Sequence, residues 1–475
     1  MATRKDLFQS YQFMMQRVVS GVVLRESDPP QSPLRRMGGA AFAAVMITIL
    51  SLVAAGVIGV ISPGGNKSWR DGQAVIVDST SGAQYVYIKD DAGDFHLHPV
   101  PNLASGALLI GTADTVDVSA SSLEGEPRAA ALGILDAPES LPTPEQLSAD
   151  PWTLCSLPAE TTSGEEVPNT SLSVGRTYTE GQALSSASIL VRDTESDALW
   201  LVTDGRRFAI PHEDPVLDGL GMRSQPQLRV GAAWVSALPA GEDLAPVQVS
   251  GAGQSSSSVP GARVGQVRAV TTNGSTAYYL VQTNDLKPLT EVQALVTVAD
   301  PTLAAAYTGT GTVGILELSP ADAAAAPKSA PAPTSPTDLP AEQPEMMAVT
   351  SDRSTVCATF ENRAATPTIA VEARVEGAEV APATASFTQS GAALANRIQV
   401  DGGTGVLVKP MLSPTATDAM LYLVTDHGIR HAITDSNARD SLGYRQATAI
   451  EMPASLIARI PEGPALDTGA ARQPI

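Results

Sequence analysis

Few residues in this 475-residue chain have the type and spacing that chemistry requires. The nearest approach to a nucleotide-binding loop is Gly64-Gly65-Asn66-Lys67-Ser68. A phosphate cradle needs a longer glycine-bounded loop after a strand, and this fragment has neither the spacing nor the strand. It reads as a turn. No G-x-S-x-G elbow and no H-E-x-x-H helix occurs, so no activated serine or zinc-bound water can be assembled from local sequence. Of five histidines, His96 and His98 alternate along a predicted strand and share one face, while His427 and His431 flank a turn. Either pair could give a metal two ligands, but no carboxylate or cysteine stands at a spacing that completes a site. They read as surface histidines. The carboxylates are scattered and read as a solvated surface. The expectation is a protein that is not an enzyme, with no catalytic, metal-binding or cofactor-binding residues and no cofactor.

The elements that carry these residues explain the sparseness. The formal net charge is -20. Residues 1–37 hold six basic side chains (Arg4, Lys5, Arg17, Arg25, Arg35, Arg36) against three acidic ones (Asp6, Glu26, Asp28), a head of +3 that leaves the remainder at -23. Such a body offers no nucleic-acid surface, which needs clustered Lys and Arg. Head and body should face different environments. Between them, residues 38–61 contain no charge over 24 positions. As a helix this run is about 36 Å long, enough for a hydrocarbon core of about 30 Å. A cleavable signal peptide would be shorter, nearer the N-terminus and followed by a small-residue cleavage site; here Ser62-Pro63-Gly64-Gly65 follows. Arg35 and Arg36 abut the N-terminal side, so the positive-inside rule puts residues 1–37 in the cytoplasm and the rest outside.

Within the head, Leu7, Tyr11, Met14, Met15, Val18 and Val22 fall at helical spacing, widened by Phe8, Val19 and Val23, and Asp28-Pro29-Pro30 stops the helix. Two readings stay open: a basic helix lying on the inner membrane face, or a docking helix for a cytoplasmic partner.

The outer region repeats itself. Four segments share an aromatic-centred apolar strand: Tyr85–Asp90, Leu199–Asp204, Tyr278–Thr283 and Leu421–Asp426. In the second and fourth, Thr-Asp and a turn glycine lead to Phe208-Ala209-Ile210 and His431-Ala432-Ile433, then to Leu238-Pro239-Ala240-Gly241 and Ile460-Pro461-Glu462-Gly463. Each unit reads as a hairpin plus a helix, too small to be stable alone. The expected fold is α+β: one N-terminal transmembrane helix and a β-rich extracytoplasmic region of four small repeat domains around a central disulfide-linked module. The expected boundaries are 1–37 amphipathic head, 38–61 transmembrane helix, 62–125 linker and repeat 1, 126–178 first segment of the central module, 179–245 repeat 2, 259–318 repeat 3, 349–400 second segment of the central module, 401–466 repeat 4 and 467–475 tail. Residues 319–348, rich in Ala and Pro, read as an extended mobile insertion, and Gly251 to Ser258 as a shorter flexible loop. Cys155 and Cys357 lie 202 residues apart on the oxidising side, so a bridge between them is expected, stabilising by ~2–4 kcal/mol.

The head (Leu7-Phe8-Gln9-Ser10-Tyr11-Gln12-Phe13, Arg17-Val18-Val19-Ser20, Pro33-Leu34-Arg35-Arg36) resembles the EccB family of type VII (ESX) secretion subunits, and the likeness continues beyond it. Gly133-Ile134-Leu135-Asp136-Ala137-Pro138, Trp152-Thr153-Leu154-Cys155 and Leu423-Val424-Thr425-Asp426 resemble the same family. Departures are Glu26 in a stretch expected to be more basic, a third repeat without the turn glycine, and the long Ala/Pro insertion. The resemblance implies a core subunit of an inner-membrane complex, working with EccC (an FtsK-like motor), EccD and EccE. Its head would pack on those partners through Leu7, Phe8, Tyr11, Phe13, Met14, Arg17, Val18, Arg35 and Arg36. Its outer region would self-associate. Some members are labelled ATPases, and this sequence gives that label no nucleotide-binding motif. The rival class is an anchored wall-binding protein gripping peptidoglycan or glycan through Tyr87, Trp200, Tyr279 and Tyr422; their mid-strand placement among Val and Leu favours burial over grip.

Overall fold

The computed structural model describes residues 3–25, 33–61, 67–89, 93–147, 151–160, 164, 167–310, 312–330, 334–335, 337–411 and 420–475. The contacts divide the chain into two units: Met1–Asp71, Ile76–Ala83 and Val116–Pro127 in the first, everything else in the second.

In the first unit α1 (Arg4–Leu24) starts where the Thr3 amide and hydroxyl both donate to the Asp6 carboxylate, and it ends at Arg25 in the left-handed region. Helix α2 (Pro33–Ile61) opens on a proline, whose missing N–H costs nothing at that position. Its described side chains, 38–54 and 56, are uncharged and exposed all round. Among the described residues no helix is long and apolar enough to cross a membrane; the other side chains of α2 lie outside them. Trp69 is buried with its indole N–H on Ser122 Oγ at 3.0 Å, and Glu126 pairs with Lys67 and Arg70.

The remaining elements follow in chain order. First come β1 (Val75–Asp78), β2 (Gln84–Lys89), β3 (Phe95–Val100), α3 (Leu103–Ile110) and β4 (Thr115–Val118), then β5 (Trp152–Leu157), β6 (Asn169–Val174) and β7 (Gln182–Ala183). Next are β8 (Ile189–Asp193), β9 (Leu199–Thr203), β10 (Arg206–Ala209), α4 (Glu213–Gly219), β11 (Gln227–Val230) and α5 (Ala232–Ala237). A third set is β12 (Val267–Thr272), β13 (Ser275–Val281), β14 (Leu286–Leu289), α6 (Glu291–Val298), β15 (Leu316–Glu317) and α7 (Pro320–Ala325). Then β16 (Val356–Phe360), β17 (Thr368–Val371) and β18 (Arg397–Gln399) precede the last set: β19 (Gly405–Met411), β20 (Leu421–Thr425), β21 (Arg430–Ile433), α8 (Ser436–Ser441), β22 (Ile450–Pro453), α9 (Ala454–Ile457) and α10 (Thr468–Ala471).

Three of the sheets have one plan. Strands β8–β9–β10, β12–β13–β14 and β19–β20–β21 are antiparallel meanders, and after a helix the fourth strand (β11, β15, β22) returns parallel to the first. Strands β2 and β3 form the corresponding hairpin before α3. The β9–β10 turn is two residues, Asp204 and Gly205, both at positive φ, the hairpin geometry their types favour. In each set the outer edge of the third strand is covered by a later segment running parallel to it: Leu97 by Arg128, Arg207 by Ala240, Leu286 by Lys328, Arg430 by Glu462. A covered edge cannot recruit a foreign strand.

The fifth sheet joins the two halves of the chain in the order β18-β6-β5-β16-β17-β7. Its central pair, β5 and β16, is antiparallel, with Cys155 opposite Cys357. One face of this pair (Trp152, Leu154, Val356, Ala358, Phe360) enters the main core with Ile189, Trp234, Val406 and Leu456. The other face carries the cysteines and packs on Ala373, Val375 and Ala378. Two further cores bind the small sheets in pairs. Val216 and Leu217 of α4 meet Val292 and Val296 of α6. Leu108 of α3 meets Leu423, Leu442 and Tyr444, with Ile134 and Ala137 between. The Tyr444 hydroxyl donates to the Pro142 carbonyl at 3.0 Å.

Two segments differ from the sequence expectation. The described portion of 319–348 is packed: Ser319 caps α7, Ala323 and Ala326 enter a core with Val281 and Leu286, and Met347 enters the main core. Alanine is small but apolar, and it docks where a neighbouring sheet supplies the larger residues. Gly251 to Ser258 is a hydrogen-bonded hairpin, with Gly253 and Val264 each donating across it (Gly253 N to Val264 O and Val264 N to Gln254 O, both 2.9 Å). The tail 467–475 holds α10, buries Ala471, and pairs Pro474 with Leu132.

Candidate docking surface and central module

Helix α1 exposes Leu7, Phe8, Tyr11, Met14 and Val18. At about 100° per residue these lie within roughly 120° of one another. Ser20, buried, points to the opposite side, and α1 touches α2. The apolar stripe is therefore left uncovered within its unit. Phe13 is exposed but stands off that stripe, with the Arg17 guanidinium 5.7 Å from its ring centre. Arg35 and Arg36 fall in the first turn of α2; their side chains lie outside the described residues.

Cys155 and Cys357 form a disulfide with Cα atoms 4.0 Å apart, and both are buried. The bridge links neighbouring strands of one sheet and is closed to solvent. Beside it Thr153 and Thr359, also opposite each other, share a buried hydroxyl hydrogen bond at 3.0 Å.

The histidines are arranged differently from the sequence reading. His98 and His431 are buried rather than exposed. Each places Nδ1 on a carbonyl of the segment covering its strand: Ala130 O at 2.9 Å and Pro464 O at 3.0 Å. A carbonyl only accepts, so Nδ1 carries the proton in both. The sequence pairs His96 with His98 and His427 with His431; the fold makes His98 and His431 equivalent positions of two similar sheets. Burial holds the His431 imidazole below its ordinary value, opposed by the Pro464 carbonyl. Among the described residues no three His, Cys, Asp or Glu gather as a metal site. A cavity of about 460 Å³ is lined by Val167, Pro168, Glu160, Arg229 and Arg353 among others, with no glycine-rich phosphate loop on its wall.

The four strand aromatics are half-buried, and each is covered on a face. Arg207 lies 4.6 Å from the Trp200 ring centre, Arg430 5.2 Å from Tyr422 and Lys328 5.8 Å from Tyr279; Tyr87 stacks on Phe95 at 5.0 Å. Sequence reasoning found the aromatics and missed the cations. The signal was available for two of them, because Arg207 and Arg430 follow the matched turns at the start of the third strand.

A family model described as "Type VII secretion system ESX-1, transport TM domain B" matches residues 1–474. The chain is similar to "ESX-3 secretion system ATPase EccB3" of Mycolicibacterium smegmatis, 28% identical over 97% of this chain and 88% of that protein. It is also similar to "ESX-1 secretion system ATPase EccB1" of the same species, 24% identical over 99% of this chain and 94% of that one. Among solved structures it resembles a chain of an intact ESX-5 inner membrane complex (TM-score 0.60, 24% identity, covering 100% of this chain and 96% of that one). It resembles also the EccB3 dimer from the ESX-3 core complex (TM-score 0.59, 23% identity, 84% of this chain and 100% of that one). The chain belongs to the EccB family and is a structural core subunit of a type VII secretion membrane complex.

Proposed function

We propose that this subunit is a single-pass anchor whose cytoplasmic head docks on EccC, EccD and EccE, and whose extracytoplasmic region is a self-associating, non-catalytic scaffold. The observation that carries the docking role is the uncovered stripe Leu7, Phe8, Tyr11, Met14 and Val18, set away from α2. Arg17 would extend that surface along one flank and Arg35 and Arg36 towards the membrane, while Phe13, on the side of Ser20, would hold the Arg17 guanidinium in place. The anchor reading is supported by the uncharged run 38–61 and by an α2 whose described side chains are apolar or small on every side. A helix without a polar face has no soluble partner to turn towards water. The four small sheets would act as repeat domains, 62–125, 179–245, 259–318 and 401–466, around a central module drawn from 126–178 and 349–400. Self-association is supported by the dimer formed by the ESX-3 relative.

The relatives' ATPase label finds no phosphate loop in this chain, and the sequence supplies no paired acid and base. Purified protein should hydrolyse ATP no faster than buffer. Wall binding is the weaker reading, because a glycan needs an open aromatic face and here Arg207, Arg430 and Lys328 occupy faces. The test is co-purification from native membranes in mild detergent. Full-length protein should bring down EccC, EccD and EccE, and a version lacking residues 1–37 should lose them. If full-length protein brings down none of the three while other membrane complexes survive, the docking proposal is wrong.

A further inference from the structure

Two similar sheets of the second unit, β8–β11 and β19–β22, solve the same local problem in different ways. In the latter, Arg430 stacks on Tyr422, donates Nε to the Ile460 carbonyl at 3.0 Å, and pairs with Glu462 at 2.7 Å. In the former, Arg207 stacks on Trp200 in the same way, and its amide donates to Pro239 as that of Arg430 donates to Pro461. The residue that covers Arg207 in place of Glu462 is Ala240, which has no carboxylate. Among the described residues, Arg207 Nε is buried without a hydrogen-bond partner. Asp193 is the acid whose charge acts on Arg207, but among the described residues it makes no ion pair with it; its oxygens accept from the Glu195 amide and the Ser196 hydroxyl.

A second cation comes from the other sheet. Arg459 stands at the position of Ala237, one residue before the matched Ile460-Pro461-Glu462-Gly463 and Leu238-Pro239-Ala240-Gly241 runs. The Ser455 hydroxyl donates to the Ala237 carbonyl at 2.7 Å, and Arg459 Nε donates to the Ser455 carbonyl at 3.1 Å, so Arg459 projects at the junction of α5 and α9. Its Nη1 donates to the Ala393 carbonyl at 2.6 Å. Burial lowers its proton affinity, and the charges of Arg207 and Arg430 lower it further. Among the described residues neither Arg207 nor Arg459 has a carboxylate within ion-pair distance, whereas Arg430 has Glu462. Two partly buried guanidinium groups without acids, in a body of strongly negative charge, are an expensive arrangement unless an anion joins them.

We propose that Arg207 forms an oxyanion-binding site beside Ala240, near the α5–α9 junction where Arg459 projects, taking a phosphoryl or carboxylate group where Glu462 serves Arg430. Guanidinium groups bind both by paired N–H donation, and the Trp200 face holds the Arg207 plane in position. Ala240 is exposed, so the site opens to solvent.

The experiment is thermal unfolding of the full chain in detergent, titrated with sodium phosphate or sodium acetate against sodium chloride at constant ionic strength. A saturable rise in Tm with either oxyanion supports the site, and the tighter of the two identifies its source. R207Q should weaken that binding by about tenfold or more, the worth of a lost charge-assisted hydrogen-bond pair. Because R207Q removes stacking on Trp200, A240E serves as the variant that keeps every cation. It places a carboxylate where Glu462 stands in the other sheet, and should raise Tm in chloride while abolishing the oxyanion effect. Identical Tm in phosphate, acetate and chloride would overturn the proposal, as would an oxyanion response unchanged in both R207Q and A240E.

Discussion

At the scale of single residues, two positions carry predictions with a definite sign. Burial holds the His431 pKa below the ordinary imidazole value. In the unfolded chain this imidazole takes a proton at about pH 6.5. The folded state resists that proton, so the stability it contributes is complete above about pH 6.5 and is lost as pH falls towards the lower folded value. Phe208 occupies the equivalent place in the β8–β11 sheet, and Gly241 and Gly463 approach the two rings in the same manner. H431F should therefore fold and show a flatter decline of Tm as pH falls below about 6.5; an unchanged slope would show that other groups set it. The disulfide is the second case. Its strands pair at five successive positions, Trp152–Ser156 against Val356–Phe360, so the sheet does not depend on the bond for register. The double variant C155A/C357A should lose about 2–4 kcal/mol in denaturant unfolding and keep its native circular dichroism. Loss of the folded spectrum at neutral pH would contradict this. The bond itself was legible from topology and cysteine count. The burial of His98 and His431 was not, because it depends on segments 32 and 33 residues further along the chain.

At the scale of elements, the second strand of each small sheet was readable because an aromatic sits among β-branched and aliphatic residues. Asp204-Gly205 announced its turn. The fourth strands were not readable. β15 is two residues long, β11 alternates buried and more exposed positions over four, and each pairs in parallel with a strand well before it in the chain. Covering segments such as 128–130 and 462–466 have no strand pattern of their own and acquire order only from the edge they cover. The Ala/Pro-rich run misled for a related reason: composition reports what a segment can bury alone, whereas α7 borrows its core from β13 and β14. Gly205 shows how tightly these elements meet. At φ 68° its hydrogen faces the Pro367 carbonyl near the central sheet, and a Cβ there would collide with backbone. Gly221, also left-handed, has open space around it. G205A should cost more than G221A in chemical denaturation, the latter about 1 kcal/mol. Equal costs would mean that the turn moves freely against the sheet.

At the scale of the whole molecule, the chain reads as two similar halves tied at one antiparallel strand pair. Each supplies an inner strand, a neighbour and a short third strand that crosses to the other half's side of the sheet. This design gathers the buried apolar residues of the second unit into a few shared cores, consistent with a scaffold, while Leu135, Val380 and Phe387 among others stay exposed. Among the described residues, most of the exposed large apolar side chains are on α1 and α2. The central claim is that α1 joins this subunit to its complex. It is tested most directly by replacing Leu7, Tyr11, Met14 and Val18 together with serine in the native host and following the detergent-solubilised protein by native electrophoresis. The account expects wild-type protein in a large assembly, and the variant still in the membrane at normal abundance but released from that assembly. A variant that remains fully assembled would contradict it and leave the stripe to the membrane surface.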